Sequence, residues 1–199
     1  MRKNIARIFF IFICLFIFQA NIVIAGSVTG EIKVRRLRNK SNIVVCLKPK
    51  GNLEIKLPPI NPMIDQRKLE FLPHVLAVPI GTAVDFLNND KTKHNIFTPD
   101  EVGDKFDFGY YLPGEVRTHT FNKPGSAALL CNKHEEMEAY IYVCESHLFA
   151  ITDRKGFYEI KNVPPGDYKL KLWHKRLRPY KQDISVSDAR LDLDLTIKK

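Results

Sequence analysis

The sequence from residue 126 to residue 137 reads SAALLCNKHEEM, an apolar run followed by a loop that carries sulfur and imidazole side chains. The run has the character of a buried strand, and the loop spaces Cys131, His134 and Met137 three residues apart. Another histidine, His94, follows a second strand-like stretch and its turn. Soft sulfur ligands favour Cu(I), while imidazole suits both oxidation states, so this donor set is typical of blue-copper sites. The pattern therefore predicts a copper centre.

The rest of the chain shows no sustained helical periodicity. Short β-rich runs alternate with turns rich in Gly, Pro, Asn and Asp, a pattern that predicts an all-β protein built of one or two sandwiches. The least regular stretch is 48–70. Its proline-rich part, 57–62, cannot be a central strand, so we expect a surface connection there.

The N-terminus predicts a signal peptide over residues 1–25. Three basic residues and no acidic ones precede an eleven-residue apolar run, 8–18. After this run, Val23 and Ala25 fit a cleavage site before Gly26. An uncleaved N-terminal anchor is the alternative, although the run is short for a membrane span. The signal peptide implies export, and we expect an exported, periplasmic protein.

The charge of the chain must be corrected for this segment. The full sequence of 199 residues has a formal net charge of +9, and removal of residues 1–25 leaves 28 − 22 = +6. The composition is near the globular average, which excludes collagen-like and fully disordered chains. No nucleic-acid motif accompanies the basic residues, so we predict no nucleic-acid partner.

Two basic runs remain, at 35–38 and 175–178. Solvated loops are the simplest interpretation. The same loops would also suit attraction to an acidic redox partner or to an anionic membrane surface.

The segment 69–143 resembles the cupredoxins. The matching residues follow the order of that family: Val78-Pro79, Gly81, Val84, Phe86, Asn88, His94-Asn95, Phe121, Pro124-Gly125 and Cys131. The Cys-x-x-His-x-x-Met spacing is similar to that of the amicyanins. This resemblance implies a cupredoxin Greek-key β-sandwich over residues 69–144, with His94, Cys131, His134 and Met137 as copper ligands. It also implies that Asn95 helps to frame the sulfur of Cys131.

The loop departs from the amicyanin pattern between its histidine and its methionine. Amicyanins have proline and an aromatic residue there, whereas this chain has Glu135 and Glu136. The apolar docking surface of the family is therefore in question, and a weak contact with a basic redox partner is favoured. A zinc site is a minor alternative, because it would need a harder ligand or water in place of Met137.

The flanking segments resemble a second family. Residues 26–50 and 145–199 are similar to the opening and later strands of a carboxypeptidase-regulatory-like (transthyretin-like) β-sandwich, with residues 51–68 as a linker. The cupredoxin domain would then be inserted into a loop of this sandwich, as exposed loops often tolerate. Two sandwiches in tandem, with an N-terminal extension, are the alternative.

This domain organisation bears on two cysteines. Cys46 ends a strand of the second module and Cys144 lies where the chain would re-enter it, so a disulfide at the base of the insertion is one interpretation. Two buried free thiols are the other. Their Cα separation would decide.

The function predicted from these features is electron transfer by a type 1 copper protein that has no enzymatic reaction of its own. Its partners would be unidentified redox proteins. The alternatives are a copper-handling protein without electron transfer, and a structural β-sandwich protein with a vestigial copper site.

Overall fold

The computed structural model describes residues 25–103 and 105–198, so the predicted signal peptide, 1–25, lies almost wholly outside the described residues. This part of the chain contains strands and one 3-10 turn, Glu101–Gly103, which confirms the all-β prediction. Among the described residues, no helix has the length and apolarity needed to cross a membrane. The strands are β1 (Gly26–Val34), β2 (Val44–Pro49), β3 (Met63–Arg67), β4 (Glu70–Leu72), β5 (Val75–Pro79), β6 (Thr82–Asn88), β7 (His94–Phe97), β8 (Asp107–Tyr111), β9 (Val116–Phe121), β10 (Gly125–Leu130), β11 (Glu138–Cys144), β12 (Phe149–Ile151), β13 (Phe157–Val163), β14 (Gly166–Trp173), β15 (Tyr180–Val186), β16 (Arg190–Asp192) and β17 (Leu195–Ile197).

Strands β3 to β11 form what we call the inner sandwich. Its two sheets have the orders β4-β3-β6-β9 and β5-β11-β10-β7-β8. Strand β6 shows why they pack together, because its side chains alternate between buried and half-buried and turn Thr82, Val84, Phe86 and Asn88 toward the core. Asn88 is polar and is the last residue of β6, the strand that leads to His94.

The remaining strands form the outer sandwich, with sheets β12-β2-β14-β15 and β13-β1-β16, β17 also pairing with β1. The segments on either side of the inner sandwich in the chain are thus hydrogen-bonded to each other. Strand β2 lies antiparallel to β14 and β12, and β1 lies antiparallel to β13. Gly30 permits a close approach within this sandwich, because a Cβ atom there would lie 2.0 Å from the carbonyl oxygen of Leu193.

The predicted connection over residues 51–68 is shorter in the structure. Residues 63–67 form β3, which pairs in parallel with β6 and buries Ile64 and Gln66 in the inner sandwich. The prolines at 58, 59 and 62 all precede this strand. The prolines do not prevent the pairing of β3 with β6, because the hydrogen-bonded pairs of these strands begin only at Met63.

The two sandwiches pack through β11 and β2. One face of β11 contributes to the inner core, and the other turns Tyr140, Tyr142 and Cys144 toward the outer sandwich. The indole of Trp173 stacks on Tyr142 with ring centroids 5.3 Å apart. Cys46 and Cys144 are joined by a disulfide, with Cα atoms 6.0 Å apart. The interface is thus apolar, aromatic and covalently closed.

Candidate metal centre

Cys131, His134 and Met137 lie on one tight connection between two paired strands. The antiparallel register of β10 and β11 places Leu130 opposite Glu138, so residues 131–137 form the loop of a hairpin. Leu130 also pairs with Phe97 of β7, which brings the strand that begins at His94 alongside the hairpin. The sheet therefore sets the position of a histidine distant in sequence.

Three donor atoms converge at this point. The Sγ atom of Cys131 lies 4.0 Å from the Nδ1 atom of His94 and 4.0 Å from the Nδ1 atom of His134. The two Nδ1 atoms are 3.0 Å apart. The His94 side chain is fully buried and Cys131 is 5% exposed, whereas His134 is half-buried. The cluster is therefore enclosed except on the side of His134.

Met137 turns back beneath the loop. Its backbone N–H donates to the carbonyl oxygen of His134 at 3.0 Å, which closes a turn. Its side chain is 1% exposed and belongs to the same core cluster as Cys131. A thioether in this position is shielded from water and stands in the core that adjoins the thiolate.

The imidazole of His94 is oriented by a carboxylate. Its Nε2 atom donates to Oδ2 of Asp90 at 3.1 Å, and the same oxygen accepts the backbone N–H of Leu69 at 2.8 Å. Burial holds the pKa of His94 below its usual value, against the pull of Asp90, so the imidazole is neutral. With its proton on Nε2, His94 presents the lone pair of Nδ1 to the cluster.

Asn88 shapes the turn that leads to His94. Its buried amide donates to the carbonyl oxygens of Thr92 at 3.0 Å and Tyr111 at 3.1 Å, and its Oδ1 accepts the N–H of Asp90 at 3.0 Å. The sequence indicated a turn at these residues but did not identify Asn88 or Asp90 as support for a ligand. An acidic residue four positions before a candidate ligand histidine was the available signal.

Asn95 connects the two segments that carry the cluster. Its Oδ1 accepts the backbone N–H of Asn132 at 2.8 Å, directly after Cys131. The side chain is 1% exposed, so water does not compete for this bond. Asn95 thereby ties the strand of His94 to the loop of Cys131.

Exposed charged and apolar residues both lie near the donor cluster. Glu135 and Glu136 are exposed on the loop itself. Leu69, whose backbone bonds to Asp90, is 38% exposed, and Leu112, just after the strand that pairs with His94, is 59% exposed. The carboxylates therefore add to apolar surface near the site instead of replacing it entirely.

The donor set suits copper. Metal–nitrogen and metal–sulfur bonds are about 2.0–2.3 Å long, so two donors on one ion lie roughly 3–4 Å apart. The three donor atoms, all within 4.8 Å of one another, fit that spacing without rearrangement of the chain. Two imidazoles, a thiolate and a nearby buried thioether form a soft set that could hold copper in either oxidation state.

Comparison with known proteins agrees with this chemistry. Residues 60–151 match the model of the family of copper-binding proteins that includes plastocyanin and azurin. No curated protein sequence matches the chain significantly.

Similar solved structures include a purple cupredoxin from Nitrosopumilus maritimus, with 23% identity over 42% of this chain and 99% of that protein, and a TM-score of 0.38. A copper-containing nitrite reductase from Thermus scotoductus SA-01 has 28% identity, a TM-score of 0.40 and a match to 48% of this chain. The match spans only 25% of that reductase. An oxidised amicyanin variant has 21% identity over 42% of this chain and 81% of its own, with a TM-score of 0.39. Residues 60–151 match a copper-binding family and contain the cluster of His94, Cys131 and His134, so copper is the metal assigned to this site.

Proposed function

We propose that the protein is an exported type 1 copper protein that carries single electrons between redox partners. His94, Cys131, His134 and Met137 would be its ligands. The observation that carries this proposal is the convergence of two imidazole nitrogens and the sulfur of Cys131 at a largely buried point in the segment that matches the copper-binding family.

The surrounding residues support electron transfer more than substrate chemistry. Copper bound in this set supplies a one-electron change between Cu(I) and Cu(II). The chain holds the donors with little freedom to move, because the hairpin fixes Cys131 and the Asn95 bond locks it to the strand of His94. The buried thiolate and thioether leave no evident position for a substrate, and we propose no reaction beyond electron transfer.

His134 is the ligand that reaches the surface, so its face of the molecule is the proposed exit for the electron. Glu135 and Glu136 follow it in the loop and are exposed. A redox partner with a basic patch would complement these carboxylates, and such contacts weaken as salt rises. We therefore expect the rate of electron exchange to fall with ionic strength.

A visible spectrum tests the proposal. The purified protein loaded with Cu(II) should show an intense thiolate-to-copper absorption band, and Cys131→Ala should abolish it because the thiolate is the source of the transition. Met137→Leu should keep the copper and raise the reduction potential, since the axial thioether tunes it. Copper bound without this band would favour a copper-handling protein, and no stoichiometric binding would contradict both functions.

Export is tested separately. The N-terminal sequence of the protein recovered from the periplasm should begin at Gly26, the residue after the predicted cleavage site. Recovery of the intact N-terminus in the cytoplasm would contradict the proposed location without affecting the copper centre.

A further inference from the structure

The two basic runs meet at one place in the fold. Strand β1 ends at Val34, just before the first run, and β14 ends at Trp173, just before the second. Val44 pairs with Trp173, so the segment that leads from β1 to β2 and the segment that follows β14 leave the same end of the outer sandwich. Between them is an open cleft of about 490 Å³. Its charged and imidazole lining comes from both runs and from the inner sandwich: Arg36, Arg38, His74, His174, Lys175 and Arg176.

The positive charge of this cleft is largely uncompensated by the protein. No carboxylate lines the cleft in the described part of the chain. Lys175 is paired with Glu138, but no carboxylate among residues 25–103 and 105–198 forms an ion pair with Arg36, Arg38 or Arg176. Three guanidinium groups thus share one concave surface without an internal counter-charge.

His174 keeps one ring N–H available as a donor. The Nδ1 atom of His174 accepts the backbone N–H of Arg176 at 3.1 Å, which leaves the proton of a neutral imidazole on Nε2. Burial, and then the charges of Arg176 and Lys175, hold the pKa of His174 below its usual value, so it adds no further positive charge near neutral pH. The lining therefore offers hydrogen-bond donors to an incoming anion and keeps one imidazole neutral.

The loop that carries the first run has a defined backbone shape. Arg36 and Asn42 both line the cleft, and both have positive φ angles, 68° and 67°. Residues other than glycine rarely adopt this conformation, and it persists where the surrounding structure imposes it. The backbone at Arg36, from which its side chain extends, thus has a conformation set by the fold.

We propose that this cleft binds the phosphate group of an anionic ligand. A guanidinium group pairs with phosphate through two parallel hydrogen bonds, and it does so better than the ammonium group of lysine. Three such groups converging from two loops need more acceptor oxygens than one carboxylate provides, whereas a phosphate group has enough. The phosphate could belong to a soluble phosphate compound or to the headgroup of an anionic lipid.

Calorimetric titration of the purified, copper-loaded protein with pyrophosphate tests the site. We expect saturable binding, and Arg36→Gln combined with Arg176→Gln should weaken it at least about tenfold, because two charge-assisted pairings with the phosphate are lost. The matched control is Arg35→Gln with Arg178→Gln. It removes the same charge from the same two runs at residues that do not line the cleft, and should leave the affinity within about twofold.

Sedimentation with lipid vesicles distinguishes the two sources of phosphate. Binding to phosphatidylglycerol vesicles and not to phosphatidylcholine, lost in the cleft variant alone, would assign the site to a lipid headgroup. Binding of pyrophosphate without vesicle binding would assign it to a soluble compound. Equal losses in the cleft variant and the control would overturn the proposal, and so would the absence of binding in both assays. The copper band of each variant reports separately on the proposed electron carrier.

Discussion

The inner and outer sandwiches share an architecture but differ in what they bury. Both pack two sheets around an apolar core. Within the described residues, the buried polar side chains of the inner sandwich are Gln66, Thr82, Asn88, His94, Asn95 and Thr98. Those of the strands and connections of the outer sandwich are Ser146 and Thr152.

This difference shows that buried polar side chains replace apolar ones in the sandwich that contains the metal centre. Asn88 continues the inward alternation of β6, and His94 and Asn95 begin β7, so polar groups take positions that would otherwise hold apolar side chains. Burying such groups is costly unless each is hydrogen-bonded, and Asn88 and Asn95 are. In the described part of the outer sandwich, the buried hydroxyls of Ser146 and Thr152 bond to the backbone carbonyls of Leu47 and Lys40.

The sharpest test of this contrast uses one substitution in both cores. Leu129 and Leu170 are fully buried in the inner and outer sandwich respectively. Each Leu→Ala change should lower the free energy of unfolding by about 2–5 kcal/mol through the cavity it leaves. Denaturant titration measures this loss. Only Leu129→Ala, two residues before Cys131, should also alter the copper band; a changed band in Leu170→Ala would mean that the outer core shapes the site.

The disulfide joins the two regions, and its removal is the next largest effect. Cys46 and Cys144 are separated by 98 residues, so their bond restricts the unfolded chain strongly. Replacing both by alanine should reduce the free energy of unfolding by about 2–4 kcal/mol. The copper band should not change, since the free thiol Cys131 has no part in the bond. A shifted band would show that the clamp also sets the geometry of the metal loop.

Asp90 provides a smaller and more local test. Asp90→Asn keeps the shape of the side chain but weakens the bond that orients His94, and we expect copper affinity to fall about 10–100-fold. Competition with a chelator measures it. Asp85→Asn is the control, because Asp85 bonds to Asn61 and Thr118 on the same sandwich and touches no ligand. Equal copper affinity in the two variants would show that Asp90 does not support the copper site.

The smallest expected effect concerns a charge cluster beside the disulfide. Burial opposes the charge of Glu145, but its bonds to Lys171 and Lys48 outweigh burial and hold its pKa below the ordinary 4.5. The stabilisation is therefore present above about pH 4.5 and lost as pH falls through the folded-state pKa. Glu145→Gln should cost about 1–2 kcal/mol at pH 7 and progressively less in acid, measured by denaturation at several pH values.

The matched change Glu159→Gln breaks an exposed pair with Lys161 and should cost at most a few tenths of a kcal/mol. A loss for Glu145→Gln that stays constant down to acid pH would contradict the assigned charge.

Much of this molecule could be predicted from local sequence patterns. Alternation along β6 and the spacing of Cys131, His134 and Met137 are local, and they indicated the strands and the donors. Strand β3 was hidden because proline precedes it and its parallel partner, β6, is distant in sequence. Strand β8 has a weak local signal because it contains Gly109 and is mostly exposed. The contact between Asp90 and His94 depends on the buried bonds of Asn88, which no pattern reveals.

The convergence of the two basic runs depended on sheet order. Neither run has a local signal that relates it to the other, and they are about 140 residues apart in the sequence. Only the pairing of β2 with β14 places their loops at the same end of a sheet.

The stack of Trp173 on Tyr142, the disulfide and two chain crossings all tie the sandwiches together at one interface. Domains joined by a single flexible linker reorient constantly, so the distance between sites on them fluctuates. These connections restrict the relative motion of the two sandwiches. The distance between His134 and the surface of the outer sandwich, and their relative orientation, therefore stay nearly constant. The interface therefore holds any ligand of the cleft at a set distance from His134, the proposed exit for the electron.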